Sequence, residues 1–197
     1  MEKDRIDELE QALCRAGRIS EDALASRIQE IGFFCLRCGE CCSGEDNSVV
    51  AFPGEIRRIM AAAGLDWLEV AGPPEEGEWD SNGRFHTLEW RLRKDGLACR
   101  FFEGGCCRIY RDRPILCRTY PFYLDEGVLR VSECRGLGGA IGRDEAERMA
   151  AELLQRYTTE IKEAIALLQM YRDFTRGPAA AGGAVIVHDS EGEHVLR

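Results

Sequence analysis

Four thiols crowd into the eight residues Cys35-Leu36-Arg37-Cys38-Gly39-Glu40-Cys41-Cys42. Side-chain packing does not call for such a density in a soluble chain, so this stretch constrains the fold more than any other. A second group follows at Cys99, Cys106, Cys107, Cys117 and Cys134. Read together, the two groups are the ligand set of one or two metal centres. The rest of the chain is expected to bring them together.

Composition narrows the setting. A chain of 197 residues can bury a core as one domain, or as one domain with helical extensions. Its net charge of −9 argues against a nucleic-acid partner, because phosphate backbones recruit cations. The N-terminus, Met1-Glu2-Lys3-Asp4-Arg5, enters a charged amphipathic pattern without signal-peptide character. No apolar run nears the roughly 18–20 residues of a membrane span. The expectation is a cytoplasmic protein that does not engage a membrane. Ten cysteines in a reducing compartment then point to metal rather than to disulfides.

Ile6, Leu9 and Leu13 recur at helical spacing over residues 1–16, and Gly17 is a stop. Ser20 caps a second helix to about Ile31, ended by Gly32, after which Phe33-Phe34 delivers the chain into the thiol cluster. Val49 to Ala51 reads as a short strand, and Pro53 opens a helix to about Ala63 with Gly64 as its cap. Ala71 to Gly83 is rich in Pro, Gly and acids and reads as an exposed loop. Phe85 to Leu92 alternates as a strand, with Leu97 to Phe102 expected to pair with it across Lys94-Asp95-Gly96. Phe122 to Ser132 reads as a hairpin turning at Asp125-Glu126-Gly127. From Asp144 an apolar stripe through Ala146, Met149, Leu153, Tyr157, Ile161, Ile165 and Leu168 predicts a long helix to about Phe174. A linker over Gly177–Gly183 and a terminal hairpin over Ala184–Leu196 complete the chain.

Cys35-x2-Cys38-Gly39 is a knuckle that suits zinc and iron alike, since backbone amides in such a turn point at metal-bound sulfur. Adding Cys41 yields the opening of a ferredoxin-type run around a [4Fe–4S] cluster, but the usual fourth cysteine followed by proline is missing. Cys42 instead follows Cys41 directly. Adjacent cysteines suit two neighbouring centres, or one binds metal while the other stands behind it. Downstream, Cys99, Cys107, Cys117 and Cys134 are each followed by arginine. Those guanidinium groups are expected to lower thiolate pKa values and offset the negative charge of a thiolate site.

The Cys35-x2-Cys38-Gly39-x-Cys41-Cys42 run, the Cys-x-Phe-Phe of 99–102, the segment Cys107-Arg-Ile-Tyr-Arg-Asp-Arg-Pro through Cys117-Arg-Thr-Tyr-Pro-Phe, and Cys134-Arg-Gly together resemble the CxxCxxCC cysteine-cluster family (YkgJ-type), a zinc- or iron-chelating domain. The resemblance spans roughly residues 33–140. It implies eight ligands: Cys35, Cys38, Cys41, Cys42, Cys99, Cys107, Cys117 and Cys134. Cys106 could substitute for Cys107, and Cys14 reads as an ordinary helix cysteine. Flagellin lysine N-methylases carry a similar domain, but this chain shows no glycine-rich nucleotide loop and no added catalytic region. The implied fold class is α+β: a small cysteine-rich, metal-centred core of short strands and turns, flanked by N-terminal helices and one long C-terminal helix. Its expected divisions are 1–32 for the helices, 33–140 for the cysteine-cluster domain, 141–176 for the long helix and 177–197 for linker and tail.

Three functions compete. The preferred one is an iron–sulfur protein holding one or two clusters, of the [4Fe–4S] type by ligand spacing, for electron transfer or a cluster-dependent reaction. The alternatives are a structural zinc module presenting an interaction surface, and a thiol-rich metal-handling protein. A protein partner could dock on the long helix or the tail. His86 reads as a surface or core histidine, and Tyr110, Tyr120 and Tyr123 stand near cysteines in sequence. No substrate is named by any motif.

Overall fold

The computed structural model describes residues 2–44, 47–170, 174–180 and 182–196. Helix α1 (Glu2–Ala16) is followed by α2 (Glu21–Ile31), whose N-cap Ser20 accepts the Ala23 amide at 3.2 Å. Gly32 closes α2 with φ of +74°, and a Cβ there would meet the Gly139 carbonyl at 2.7 Å. The cysteine run is irregular, with Arg37 at φ of +54°, until Gly39, in the left-handed conformation, starts a single 3₁₀ turn over Glu40–Cys42. Strand β1 (Val50–Ala51) precedes α3 (Pro53–Ala63), which has proline in its first turn and Gly64 as a left-handed cap.

The short α4 (Trp67–Val70) leads to β2 (Ala71–Gly72), β3 (Glu78–Trp79), β4 (Phe85–Leu88) and β5 (Trp90–Leu92). Two-residue strands β6 (Lys94–Asp95) and β7 (Ala98–Cys99) form one small ladder, and β8 (Phe102–Glu103) and β9 (Cys106–Cys107) another. Then come α5 (Ile115–Thr119), the hairpin β10 (Phe122–Asp125) and β11 (Val128–Val131), α6 (Arg143–Met170), and the hairpin β12 (Val185–Asp189) and β13 (Gly192–Leu196). The fold is mixed α+β with a long C-terminal helix. Among the described residues, no helix is long and apolar enough to cross a membrane.

Two hydrophobic cores organise these elements. The helical core sets Leu24, Ala25 and Ile28 of α2 against Ala146, Met149, Ala150 and Leu153 of α6, with Phe33 packed edge-on against Phe122 at 5.9 Å. The N-terminal half of the α6 stripe is thus spent inside the chain. The sheet core gathers Ile56 and Ile59 of α3 with Val70, Trp90, Leu92, Phe101 and Ile109. Its central strand is β5, flanked antiparallel by β1 and β2.

Several expectations need correction. Leu97–Phe102 does not pair with Phe85–Leu92: Glu89, with φ of +60°, breaks that run into β4 and β5, and β7 turns back onto β6 instead. Ala71–Gly83 is not a plain exposed loop, because it contributes β2 and β3, and Ala71 and Asp80 are buried. The long helix is described to Met170; residues 171–173 lie outside the described residues, and Phe174 is no longer helical.

The terminal hairpin enters a four-stranded sheet in the order β13-β12-β4-β3, with β12 parallel to β4. That pairing buries a polar chain. Asp80 Oδ1 accepts the Asn82 and Arg84 amides, and Oδ2 accepts Arg84 Nε at 2.7 Å. His86 lies 3.1 Å from Asp80 Oδ2 through Nε2 and 2.8 Å from His188 Nε2 through Nδ1. His86 is therefore a core residue. Beside it, buried Trp90 donates its indole N–H to Asp189 at 2.8 Å.

Candidate metal centre

Cys35, Cys38, Cys41, Cys42, Cys99, Cys107, Cys117 and Cys134 all line one cavity of about 240 Å³. It lies where the two cores approach one another: Cys35 and Cys134 pack on the helical core, and Cys99, Cys107 and Cys117 on the sheet core. Cys106 is exposed and does not line the cavity. The β8–β9 register explains this, since Cys107 pairs with Phe102 while Cys106 pairs with Glu103, and neighbours on a strand face opposite ways. Cys14, exposed on α1, lies elsewhere.

Main-chain contacts position each thiol. The Phe34 amide donates to the Gly136 carbonyl at 2.9 Å, which lays the Cys35–Cys38 segment along the loop carrying Cys134. Gly39 allows the turn that follows; a Cβ there would come within 2.7 Å of two Phe102 ring carbons and nearer still to the third. Ser43 forms a bridge with Ala98, and the Gly44 amide donates to Leu97 at 2.9 Å, holding Cys42 beside Cys99. Glu55 fixes the far wall by accepting the Ile115 amide at 2.7 Å, at the start of the helix that presents Cys117.

The thiols are not gathered at one point. Among the described residues, no three His, Cys, Asp or Glu side chains stand close enough to hold one metal ion between them. Cys41 and Cys42 approach at 3.9 Å between sulfurs, while the others are spread over the cavity walls. Cys38 and Cys41 are exposed, so the site opens to solvent on that side.

Burial pushes the Cys99, Cys107 and Cys134 thiols up, and Cys117 up to about 12, because a thiolate is poorly solvated there. Amides two residues on pull the other way: Phe101 at Cys99, Ile109 at Cys107 and Gly136 at Cys134, the last 3.4 Å from its sulfur. Cys41 is lowered to about 6, first by the Cys42 thiol that donates to it, with Arg113 helping. Cys42 is correspondingly raised, by that same bond to Cys41 and by burial. An added positive centre is what this cavity needs to hold most of its sulfurs as thiolates.

Charge compensation does not come from the arginine after each cysteine, as expected. Only Arg118 of those four lines the cavity, paired with Glu152 at 3.0 Å. Arg100 turns away to the Glu69 carbonyl at 2.7 Å, Arg108 is paired with Glu103 at 3.2 Å, and Arg135 with Glu40 at 2.6 Å. Strand alternation at β7 and β9 sends the residue beside an inward cysteine outward. The cavity cations are Arg37, Arg113, Arg118 and Arg148. Arg37 and Arg113 stand over the Tyr110 ring at 4.5 and 3.8 Å. Tyr110 and Tyr120 line the cavity; Tyr123 is exposed and does not.

Sequence reasoning missed the contribution of α6, which adds Glu145, Arg148, Met149 and Glu152 to the wall. Their signal was present: positions 145, 148, 149 and 152 share a helix face at spacings of three and four, beside the apolar stripe.

A donor set of eight thiols is soft and suits zinc or iron. The model of the CxxCxxCC family, described as "Putative zinc- or iron-chelating domain", matches residues 34–135, and the chain belongs to that family. No solved structure matches it.

Proposed function

We propose that this protein carries iron–sulfur chemistry in the cavity, as one or two [4Fe–4S] clusters held by Cys35, Cys38, Cys41, Cys42, Cys99, Cys107, Cys117 and Cys134. Its role would be electron transfer or a cluster-dependent reaction. The supporting observation is the gathering of eight thiols on the walls of one 240 Å³ cavity. A water needs roughly 10–15 Å³ of such space, so the cavity has room far beyond one ion. Zinc draws four donors to about 2.3 Å from one nucleus, whereas a polynuclear core takes thiolates from around a wider perimeter.

A bound cluster supplies reversible one-electron chemistry. The protein's own residues supply the rest. Val49, Leu92, Ile109 and Met149 keep the inner walls apolar, and the guanidinium groups of Arg37, Arg113, Arg118 and Arg148 offset the anionic charge of ligated thiolates. A structural zinc reading has its own support in the left-handed Gly39 after Cys-x2-Cys and in the amides two residues beyond three of the cysteines.

Metal and sulfide analysis of protein purified without oxygen decides between them. Iron and sulfide in equal amounts, with a broad absorption near about 400 nm, would support the proposal. Colourless protein holding zinc alone would overturn it.

A further inference from the structure

Resting on the reading of the cavity as a thiolate metal site, we propose that its eight cysteines divide into two four-thiolate centres. Cys35, Cys38, Cys41 and Cys134 form an outer centre, and Cys42, Cys99, Cys107 and Cys117 an inner one, joined through the Cys41–Cys42 peptide. Neither the family description nor the sequence motifs make this division.

Packing makes it first. Cys35 and Cys134 lie on the helical core, whereas Cys99, Cys107 and Cys117 lie on the sheet core. Each core therefore owns its own thiols. The main chain then sorts those of the 35–42 segment. Its first half follows the Cys134 loop, through the Phe33–Leu137 bridge and the Phe34 amide on Gly136. The ion pair of Arg135 with Glu40 at 2.6 Å extends that alignment past Cys38, whose sulfur is 3.8 Å from the same carboxylate group. Its second half crosses to the other side, where Ser43 bridges Ala98 and Gly44 bonds Leu97. Cys42 thus enters the sheet side next to Cys99.

The turn between the halves is where the assignment changes. The charges that act on each thiol are in keeping with this: Cys38, Cys41 and Cys35 act on Cys134, while Cys99 and Cys107 act on Cys42 besides Cys41. Cys41 also acts on Cys99, Cys107 and Cys117, as expected of a residue on the seam. Three thiols on each side leave one place apiece, and Cys41 and Cys42 fill them. Two adjacent cysteines, awkward as ligands of one ion, become the link between two centres.

The division also makes the centres unequal. Two of the outer thiols, Cys38 and Cys41, are exposed, but none of the inner four is. The outer centre should lose its metal first.

The test uses the full-length protein loaded with its metal, limited treatment with a chelator, alkylation of released thiols, and peptide mass mapping. Bound thiols are shielded whether the metal is zinc or iron–sulfur, so the map is independent of metal identity. The expected result is labelling of Cys35, Cys38, Cys41 and Cys134 as one set when about half the metal has left, with the other four protected. A parallel pair of variants checks it: Cys38→Ser and Cys41→Ser should each remove about half the metal, with the far-ultraviolet helix signal unchanged. Joint release of Cys41 with Cys42, or even labelling of all eight, would overturn the two-centre division while leaving metal binding intact. A protein that takes up no metal would overturn both readings.

Discussion

Gly39→Ala concentrates two separable costs at the turn of the cysteine run. Gly39 sits at φ of +80°, where an L-residue costs roughly 1–2 kcal/mol over glycine. The added methyl would also stand inside the Phe102 ring, 2.7 Å from Cε1 and Cε2, and overpacking of this kind costs roughly 1–3 kcal/mol. Together they predict a loss of about 2–5 kcal/mol, or about 4–20 °C in Tm for a chain of this size. The assay is urea unfolding of the wild type, Gly39→Ala, Phe102→Ala and the double variant. Removing the ring should recover only the steric part, so the cycle should show coupling of about 1–3 kcal/mol. Zero coupling would refute the ring contact. A total loss below about 0.5 kcal/mol would refute the need for a left-handed turn between Cys38 and Cys41.

Other perturbations probe other parts of the molecule. Trp90→Phe strips a buried carboxylate of the indole N–H that now sits 2.8 Å from Asp189 and leaves a void; the expected cost is about 2–4 kcal/mol in urea unfolding. In metal-free protein Cys41, lowered to about 6, should alkylate at pH 7 ahead of the buried thiols, and Cys42→Ala should move its pH midpoint upward. Burial holds the His188 pKa below its ordinary value, so the unfolded chain takes up a proton near pH 6.5 that the folded chain refuses. Stability from this group is therefore present above about pH 6.5 and lost as pH falls through the lower folded value; His188→Gln should flatten that part of the Tm–pH profile.

What the sequence revealed divides along physical lines. Local signals were readable: Ser20, Gly32, Pro53 and Gly64 act within a few residues of themselves, and helix ends depend on little else. The convergence of the thiols was readable too, and all eight anticipated cysteines line one cavity. Pairing between distant strands was not. Phe85–Leu88 reads as part of an alternating strand and Val185–Asp189 as one arm of a terminal hairpin, but nothing in either names the other as its parallel neighbour. The acids of Ala71–Gly83 suggested solvent because composition does not reveal their partners. Asp80 is held by Arg84 and His86, and Glu78 pairs with Arg176, close to one hundred residues away. The arginines after cysteines misled for a similar reason: proximity along the chain is not proximity in space when strand neighbours point apart.

The position of the cavity between two cores has a consequence for stability. Ile28, Ala146, Ala150 and Leu153 are buried chiefly among helix side chains, with Cys35 and Cys134 at the edge of their cluster, and Ile56, Ile59 and Trp90 are buried on the other side. The thiol-bearing segments, residues 33–43, 97–119 and 132–137, anchor on the cores through Phe33, Phe101 and Ile109 and are otherwise built from short ladders and turns. Metal bound across this joint adds its binding free energy to folding, about 4 kcal/mol at a thousandfold excess over Kd. That energy should appear mainly at the joint, because the cores retain their own packing when the thiols are released. Amide exchange before and after chelation tests this. Protection should fall in the three thiol-bearing segments and persist at the centres of α2 and α6, where loss would require global opening. A uniform fall across α2, α6 and the sheet would mean that neither core stands without the metal, and the thiol site would then be the nucleus of the fold rather than the joint between two cores.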